Sequence, residues 1–589
     1  MNGEAGSAPV RDHSSGAAWL FLLVWATSLV TIIFEFVERL GFNPTDDGFV
    51  LAQTYRILHG QIPHRDFISP RPVGSPLLHT IDFTIPLPLL EATRLIGLVE
   101  IVAYTVLFAL FVFDRPVRSW RGWQYGVVTI AVFVNVHVFP VMGWPTIDGL
   151  LFIAAGLMLL RTGTRRPFRG ATYSGLALFG LSAVMKQSFY PVPLLGFVWA
   201  TYLWSGRRRG EESQVSVLLS FACSVAPLTI YGIAIASLGG WHQMMLQTTN
   251  LPPFDLHGMF FVITGVLSGT VFAALIVALA GFIYFSGLHP SSSSKTTRDT
   301  AIDVWIRIVA TVSIAAVPLS QHFAGPDHGT WATQLFWALT FLLIADLVVE
   351  RRVDWIGIAM FGVASTIMLS WGYPTPSLVG GSIMVWLFDR VWTGVRIERT
   401  SVQRYLAAST VVAVVVISLA AVHAGRTYPY YDKPATLLTD SLETVAPGLA
   451  GIRTNPTTAA YMTDISSCLA RFPADSVAVL PDNPIIYPAL HLVDPFPIDW
   501  MWPPEYRSSP ERLVDAARAL DTRGNYLVLF QPVDAFSLST FSKSDLQRRV
   551  GTLPRFNDLL RTIDSMLDHG THIRCGFFVG RYSRAAPRP

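Results

Sequence analysis

Thr45-Asp-Asp-Gly-Phe-Val-Leu-Ala-Gln-Thr-Tyr-Arg-Ile-Leu-His-Gly-Gln-Ile-Pro-His-Arg-Asp-Phe-Ile-Ser-Pro-Arg-Pro72 reads unlike the sequence on either side of it. Apolar runs flank it at about 17–38 and 92–113, each long enough to cross the ~30 Å hydrocarbon core of a bilayer. The stretch between them, 39–91, is therefore a long loop outside the hydrocarbon. Its apolar residues Phe49, Val50, Leu51, Tyr55, Ile57 and Leu58 recur at helical spacing, which predicts an amphipathic helix lying along the membrane surface. Asp46 and Asp47 fall at the start of that helix. There, two carboxylates suit an N-cap and a favourable first-turn charge as well as they suit chemistry.

Composition agrees with this reading. Of 589 residues, 51% are hydrophobic and only 14% charged, and the mean hydropathy is +0.44. A soluble chain of this size needs about 25% charged residues to cover its surface; a membrane domain does not. A net charge of +3 and the lack of a basic stripe give no sign of a nucleic-acid partner. Further apolar runs near 124–140, 145–161, 170–186, 189–204, 214–237, 262–287, 302–319, 329–349, 353–371, 376–392 and 404–424 bring the expected spans to thirteen. The first run carries no small-residue cleavage site and is read as an uncleaved anchor.

Basic residues orient the chain. The loops 114–123, 161–169, 205–213, 288–301, 350–354 and 389–404 hold eighteen Lys or Arg. The alternate loops hold only Lys186, plus Arg39, Arg56, Arg65 and Arg71 in the long first one. Positive loops stay inside, so the N-terminus is expected in the cytoplasm and 39–91 outside. The expected organisation is a disordered cytoplasmic segment 1–16, a mainly α polytopic domain 17–424 and an outer soluble domain 425–589. Charge is denser in that last part, about one residue in five against one in eight before it. Runs at 476–480, 526–530 and 573–582 read as strands and 508–521 and 543–569 as helices, a small α/β domain. Pro481 to Pro504, rich in Pro and aromatics, reads as an ordered loop. Cys468 and Cys575 could pair on an oxidising side, whereas Cys223 lies in an apolar run.

The acidic pair, the helix after it, Gly60-Gln-Ile-Pro-His-Arg-Asp-Phe67 and Arg71-Pro72 together resemble the GT-C glycosyltransferases that use polyprenyl-phosphate sugars. The stretch is most similar to the bacterial branch related to protein O-mannosyltransferases and lipid A aminoarabinose transferases. The acidic pair is also similar to that of actinobacterial arabinofuranosyltransferases, which lack the Arg-Asp-Phe text. The resemblance implies inverting transfer of a sugar from a polyprenyl-phosphate donor to a hydroxyl on a glycan, lipid or protein. It implies a carboxylate general base at Asp46 or Asp47, with Asp47 slightly favoured, and a possible divalent metal on the other. Arg71, Lys186-Gln187, His322 and His328 would hold the donor phosphate, and Arg65, Asp66 and Asp148 other parts of the substrates.

Other readings of the same residues stay open. Lys186 could snorkel to the interface, Asp148 could cap its helix, and the two His could be ordinary loop residues. Glu100, deep in the second run, needs a partner, with Arg94 in reach; Glu38 has Arg39 beside it. The loop 238–262, with Trp241, His242 and Gln243, could line an acceptor rim. A lipid-linked saccharide flippase, or a non-catalytic assembly protein with a glycan-binding outer domain, are the alternatives in function. A transporter would call for related halves and a polar path at mid-membrane, and the sequence shows neither.

Overall fold

The computed structural model describes residues 14–136, 138–165, 169–207, 217–249, 269–288, 297–325, 329–369, 375–392, 400–506, 509–552 and 557–584. All thirteen apolar runs carry a helix. Among the described residues seven are long and apolar enough to cross a membrane: Gly16–Glu38, Leu89–Phe113, Pro145–Thr162, Val217–Ser237, Ile302–Gln321, Thr330–Val348 and Ala408–Thr427. Gly170–Met185, Thr270–Phe285 and Trp355–Met368 are shorter apolar helices. The chain is thus a mainly α, multi-pass membrane protein with a small C-terminal α/β domain.

Two runs expected to span do so only in part. The helix Gly122–Asn135 has 14 residues and Gly380–Trp392 has 13, about 20 Å each at 1.5 Å per residue. Prolines set those limits, Pro140 beyond the first and Pro376 before the second. Both helices are buried, and they pack against each other, Gly381 lying on the backbone of Ala131. The Asn135 side-chain oxygen accepts the N–H groups of Gly381 and Ser382, capping the second helix, while its amide donates to Thr105 and Ser382.

The helix Asp46–Leu58 forms as its apolar spacing predicts, but it does not lie on a surface. Every residue from Asp46 to Arg56 is buried. The C-terminal domain covers the side that membrane was expected to cover. At Gly48 the approach is so close that a Cβ would sit 2.1 Å from the backbone nitrogen of Ile485, so only glycine fits there.

That C-terminal domain is built on a four-stranded sheet in the order β3 (Ser476–Leu480), β4 (Tyr526–Phe530), β6 (Phe578–Ser583), β5 (Thr571–Cys575). A two-residue pair, β1 (Asp440–Ser441) with β2 (Arg453–Thr454), precedes it. β3 and β4 run parallel and are apolar on both faces, as a doubly covered sheet requires. The run 573–582, expected as one strand, is a hairpin: β5 and β6 are antiparallel, with a turn at Gly576, whose φ is +53°. The expected helix 543–569 is two, Lys543–Arg548 and Asn557–Met566, and Pro510–Arg523 matches the other. A further helix, Pro456–Arg471, was not expected; a disulfide ties its Cys468 to Cys575 of β5.

Charge joins the two domains. Arg56 is buried against Asp499, at 2.8 Å, and Asp494, at 3.5 Å, and donates to the carbonyl of Phe496. Thr45 donates to the carbonyl of Asp482, and the Ile68 N–H to that of Pro497. Arg56→Met would leave two buried carboxylates without their counter-charge, a change that costs about 3–5 kcal/mol. A lowered melting temperature with early tryptic release of the outer domain is the expected result. Unchanged melting would mean that this ion pair does not seat the domain.

Candidate active site

Adjacent in sequence, Asp46 and Asp47 diverge in space. Asn43 caps the helix start, its side-chain oxygen accepting the N–H groups of Thr45 and Asp46. The Asp47 carboxylate turns inward and takes Arg94 through both oxygens, at 2.9 and 3.1 Å, plus the Asn43 N–H at 3.0 Å. Arg94 also donates to the carbonyls of Glu38 and Gly41. Arg94 is therefore the partner of Asp47 and not of Glu100. Arg39, in turn, pairs with Glu35 and Glu91, while Glu38 accepts the N–H of Val141.

Asp46 has a different neighbourhood. Its Oδ2 accepts the hydroxyl of Tyr430, 2.8 Å away, just beyond the last membrane helix. Burial pushes its carboxyl up to about 7; the Tyr430 hydrogen bond and the charge of Arg71 oppose that rise, and Asp47 and Glu505 add to it. A carboxyl that changes charge near neutrality can accept a proton from a bound hydroxyl.

Three further charged groups lie within electrostatic reach of one another: Arg71, Lys186 and Glu505. Glu505 comes from the C-terminal domain and takes Arg71 through two bonds of 2.6 and 2.8 Å. The Arg71 guanidinium also sits 4.9 Å above the ring of Phe49. Lys186 donates to the Thr146 hydroxyl at 2.8 Å. The neighbouring Gln187 is buried, and its side-chain oxygen has no hydrogen-bond partner among the described residues. Aromatic rings wall this region: Phe49 lies 5.6 Å from Trp500 and 6.4 Å from Trp144, and Trp500 stacks on Trp502 at 5.2 Å.

The other expected site residues lie elsewhere. His322 stacks between Phe139 and Trp331, and the Phe139 carbonyl accepts the backbone N–H of Tyr430. His328 lies outside the described residues, as does most of the loop 238–262. Arg65 and Asp66 form an exposed pair with each other. The buried residue of that turn is His64, bonded to Tyr231 and Gln247 and forced by burial down to about 4. Asp148 faces His79 and Glu100. No metal-type cluster among the described residues includes Asp46 or Asp47.

Tyr430, Glu505, Trp500 and Trp502 were missed by sequence reasoning. Three of them lie in or beside the Pro- and aromatic-rich stretch after Pro481, whose composition marked order but not what it packs against. Tyr430 follows the last apolar run, where only its position could have drawn notice.

No protein-family model and no curated protein matches the chain. Among solved structures, ArnT from Cupriavidus metallidurans in the apo state is similar over 97% of this chain and 100% of its own. The identity is 13% and the TM-score 0.36. At that distance, function has to be read from this chain's own geometry.

The raised carboxyl of Asp46 has a consequence for stability. Between about pH 4 and 7 the unfolded chain releases this proton while the folded chain retains it, so stability falls across that window and levels off above it. Asp46→Asn removes the effect. The variant is expected to match wild type near pH 4 and to melt increasingly higher up to pH 7, with a constant gap above. A gap that does not change with pH would mean that Asp46 titrates as an ordinary carboxylate.

Proposed function

We propose that the protein is a membrane glycosyltransferase of the GT-C type. It moves a hexosyl or pentosyl group from a polyprenyl-phosphate donor to a hydroxyl on a glycan, lipid or protein at the outer face of the membrane. The observation that carries the reading is Asp46: a buried carboxyl at the start of a helix, held by Tyr430 and within electrostatic reach of Arg71. The basic inner loops and the Cys468–Cys575 disulfide support an inside N-terminus and an outer C-terminal domain.

In this reading Asp46 accepts the acceptor's hydroxyl proton as the oxygen attacks the anomeric carbon. The bond from that carbon to the donor phosphate breaks, and the lipid phosphate leaves from the opposite face with inversion. Charge grows on the phosphate as it leaves, and Arg71, Lys186 and the amide of Gln187 are the donors that can meet it. Glu505 holds Arg71 in place before the donor arrives. The rings of Phe49, Trp144, Trp500 and Trp502 offer flat apolar faces to the sugar and to the first isoprene units. Asp47 keeps the helix in position through Arg94, with both of its oxygens engaged, so the base is assigned to its neighbour.

The test is transfer from a labelled polyprenyl-phosphate sugar in membranes carrying each variant at equal level. Asp46→Asn is expected to lower the rate by at least about 100-fold, the scale of a lost general base, with expression intact. Asp47→Asn is expected to reduce folded protein instead, because it leaves Arg94 with less counter-charge. The wild-type rate should climb as pH rises through about 7, and Tyr430→Phe should move that rise to higher pH by removing a bond that favours the ionised form. Wild-type turnover in Asp46→Asn would overturn the assignment.

A further inference from the structure

A second buried polar cluster lies apart from Asp46. His79 opens the 3-10 turn His79–Thr84, Glu100 lies within the helix Leu89–Phe113, and Asp148 is in the first turn of Pro145–Arg165. One ligand-type atom of each lies within 4.8 Å of the others, and all three residues are buried. The His79 Nδ1 is 2.9 Å from Asp82 Oδ2, an oxygen that also accepts the Thr93 hydroxyl. A carboxylate taking two donors keeps the imidazole proton on Nδ1 and leaves the lone pair on Nε2. That Nε2 points at Asp148 Oδ1, 3.5 Å away. Among the described residues Nε2, both oxygens of Asp148 and Glu100 Oε2 have no well-formed hydrogen bond and face only one another.

These atoms are costly to bury as they stand. Asp82, Glu100 and Asp148 form no ion pair with a Lys or Arg among the described residues, and unpaired buried carboxylates cost several kcal/mol each. We propose that His79, Glu100 and Asp148 bind one divalent cation of the zinc type. One imidazole nitrogen and two carboxylates form a zinc-compatible set with a fourth position left for water. The 3.5 Å between Nε2 and Oδ1 is close to the edge of a tetrahedron whose ligands lie about 2.1 Å from its centre. Asp82, oriented by Thr93, supplies the carboxylate behind the histidine that metal sites use to set the ring. Backbone space is kept open as well: a Cβ at Gly143 would fall 3.0 Å from His79 Nε2.

The ion would join the outer turn to two membrane helices. Asp148 follows Thr146, the residue to which Lys186 donates, by two positions. A metal here therefore fixes the helix end on which Lys186 rests. The inference stands on its own geometry and does not need the transferase reading.

The full chain, purified in detergent, stripped with a chelator and reloaded with Zn2+ or with Mg2+ as control, is read by elemental analysis after desalting. The expected result is about one zinc per chain and no retained magnesium. His79→Gln and Asp148→Asn are expected to weaken zinc binding more than about 100-fold, and Asp82→Asn and Gly143→Ala by about 10- to 100-fold. Wild type that holds no zinc, or zinc that stays at full stoichiometry in His79→Gln and Asp148→Asn, overturns the proposal. If a variant fails to fold, zinc X-ray absorption on wild type decides. A shell of one imidazole with oxygen ligands supports the site; sulfur or a second imidazole overturns it. Metal content does not depend on glycosyl transfer, so failure here and failure of the catalytic assignment are separate results.

Discussion

A helix buried from Asp46 to Arg56 that carries three charged groups must find a counter-charge for each or remain unfolded. This requirement organises the outer half of the molecule. Asp47 takes Arg94 from the second membrane helix, which fixes the helix to the membrane domain. Arg56, almost three turns on, takes Asp494 and Asp499, which fixes the outer domain to the helix. Asp46 alone has a neutral donor, Tyr430, in place of a full counter-charge, and it is the residue whose carboxyl burial raises most freely. The strained electrostatics of the site are a by-product of the same burial that seats the two domains.

The C-terminal domain is thereby packed into the candidate site and is not an appendage. Its sheet is stabilised by an apolar core and by the Cys468–Cys575 link. The segment after β3 then leaves the domain to contribute Asp494, Asp499, Trp500 and Glu505 to the membrane-facing side. Gly48 records the closeness of that contact, since any side chain there would collide with Ile485. A membrane domain alone would leave Arg56 and Arg71 without their carboxylates.

What could be read from the sequence follows the physics of each element. Hydrocarbon length is written directly into composition, so each apolar run carries a helix, though several are short, Gly122–Asn135, Trp355–Met368 and Gly380–Trp392 the shortest among the described residues. The helix at 46–58 was legible from spacing, but its burial was not. Periodicity shows that a face is apolar, not whether lipid or protein covers it. The hairpin at 571–583 was hidden because Gly576 and Phe577 do not interrupt an apolar run. At the site, Asp46, Arg71 and Lys186 could be found as rare charges in one part of the chain. Their partners Tyr430 and Glu505 are separated from them by hundreds of residues, and no local pattern connects residues that far apart. The pairing of Arg94 with Asp47, and not with Glu100 one and a half turns away, is another long-range choice made by packing.

The bidentate contact between Arg71 and Glu505 makes anion capture at this guanidinium a replacement reaction. An arriving phosphate does not neutralise a bare cation; it takes the seat of a carboxylate that must then find water or another donor. The net change in charge at Arg71 is small, so ionic strength has less hold on such a step than on an encounter between free opposite charges. Glu505 belongs to the short helix Pro503–Tyr506, so the seat that an anion would take at Arg71 is filled by the C-terminal domain's own backbone segment.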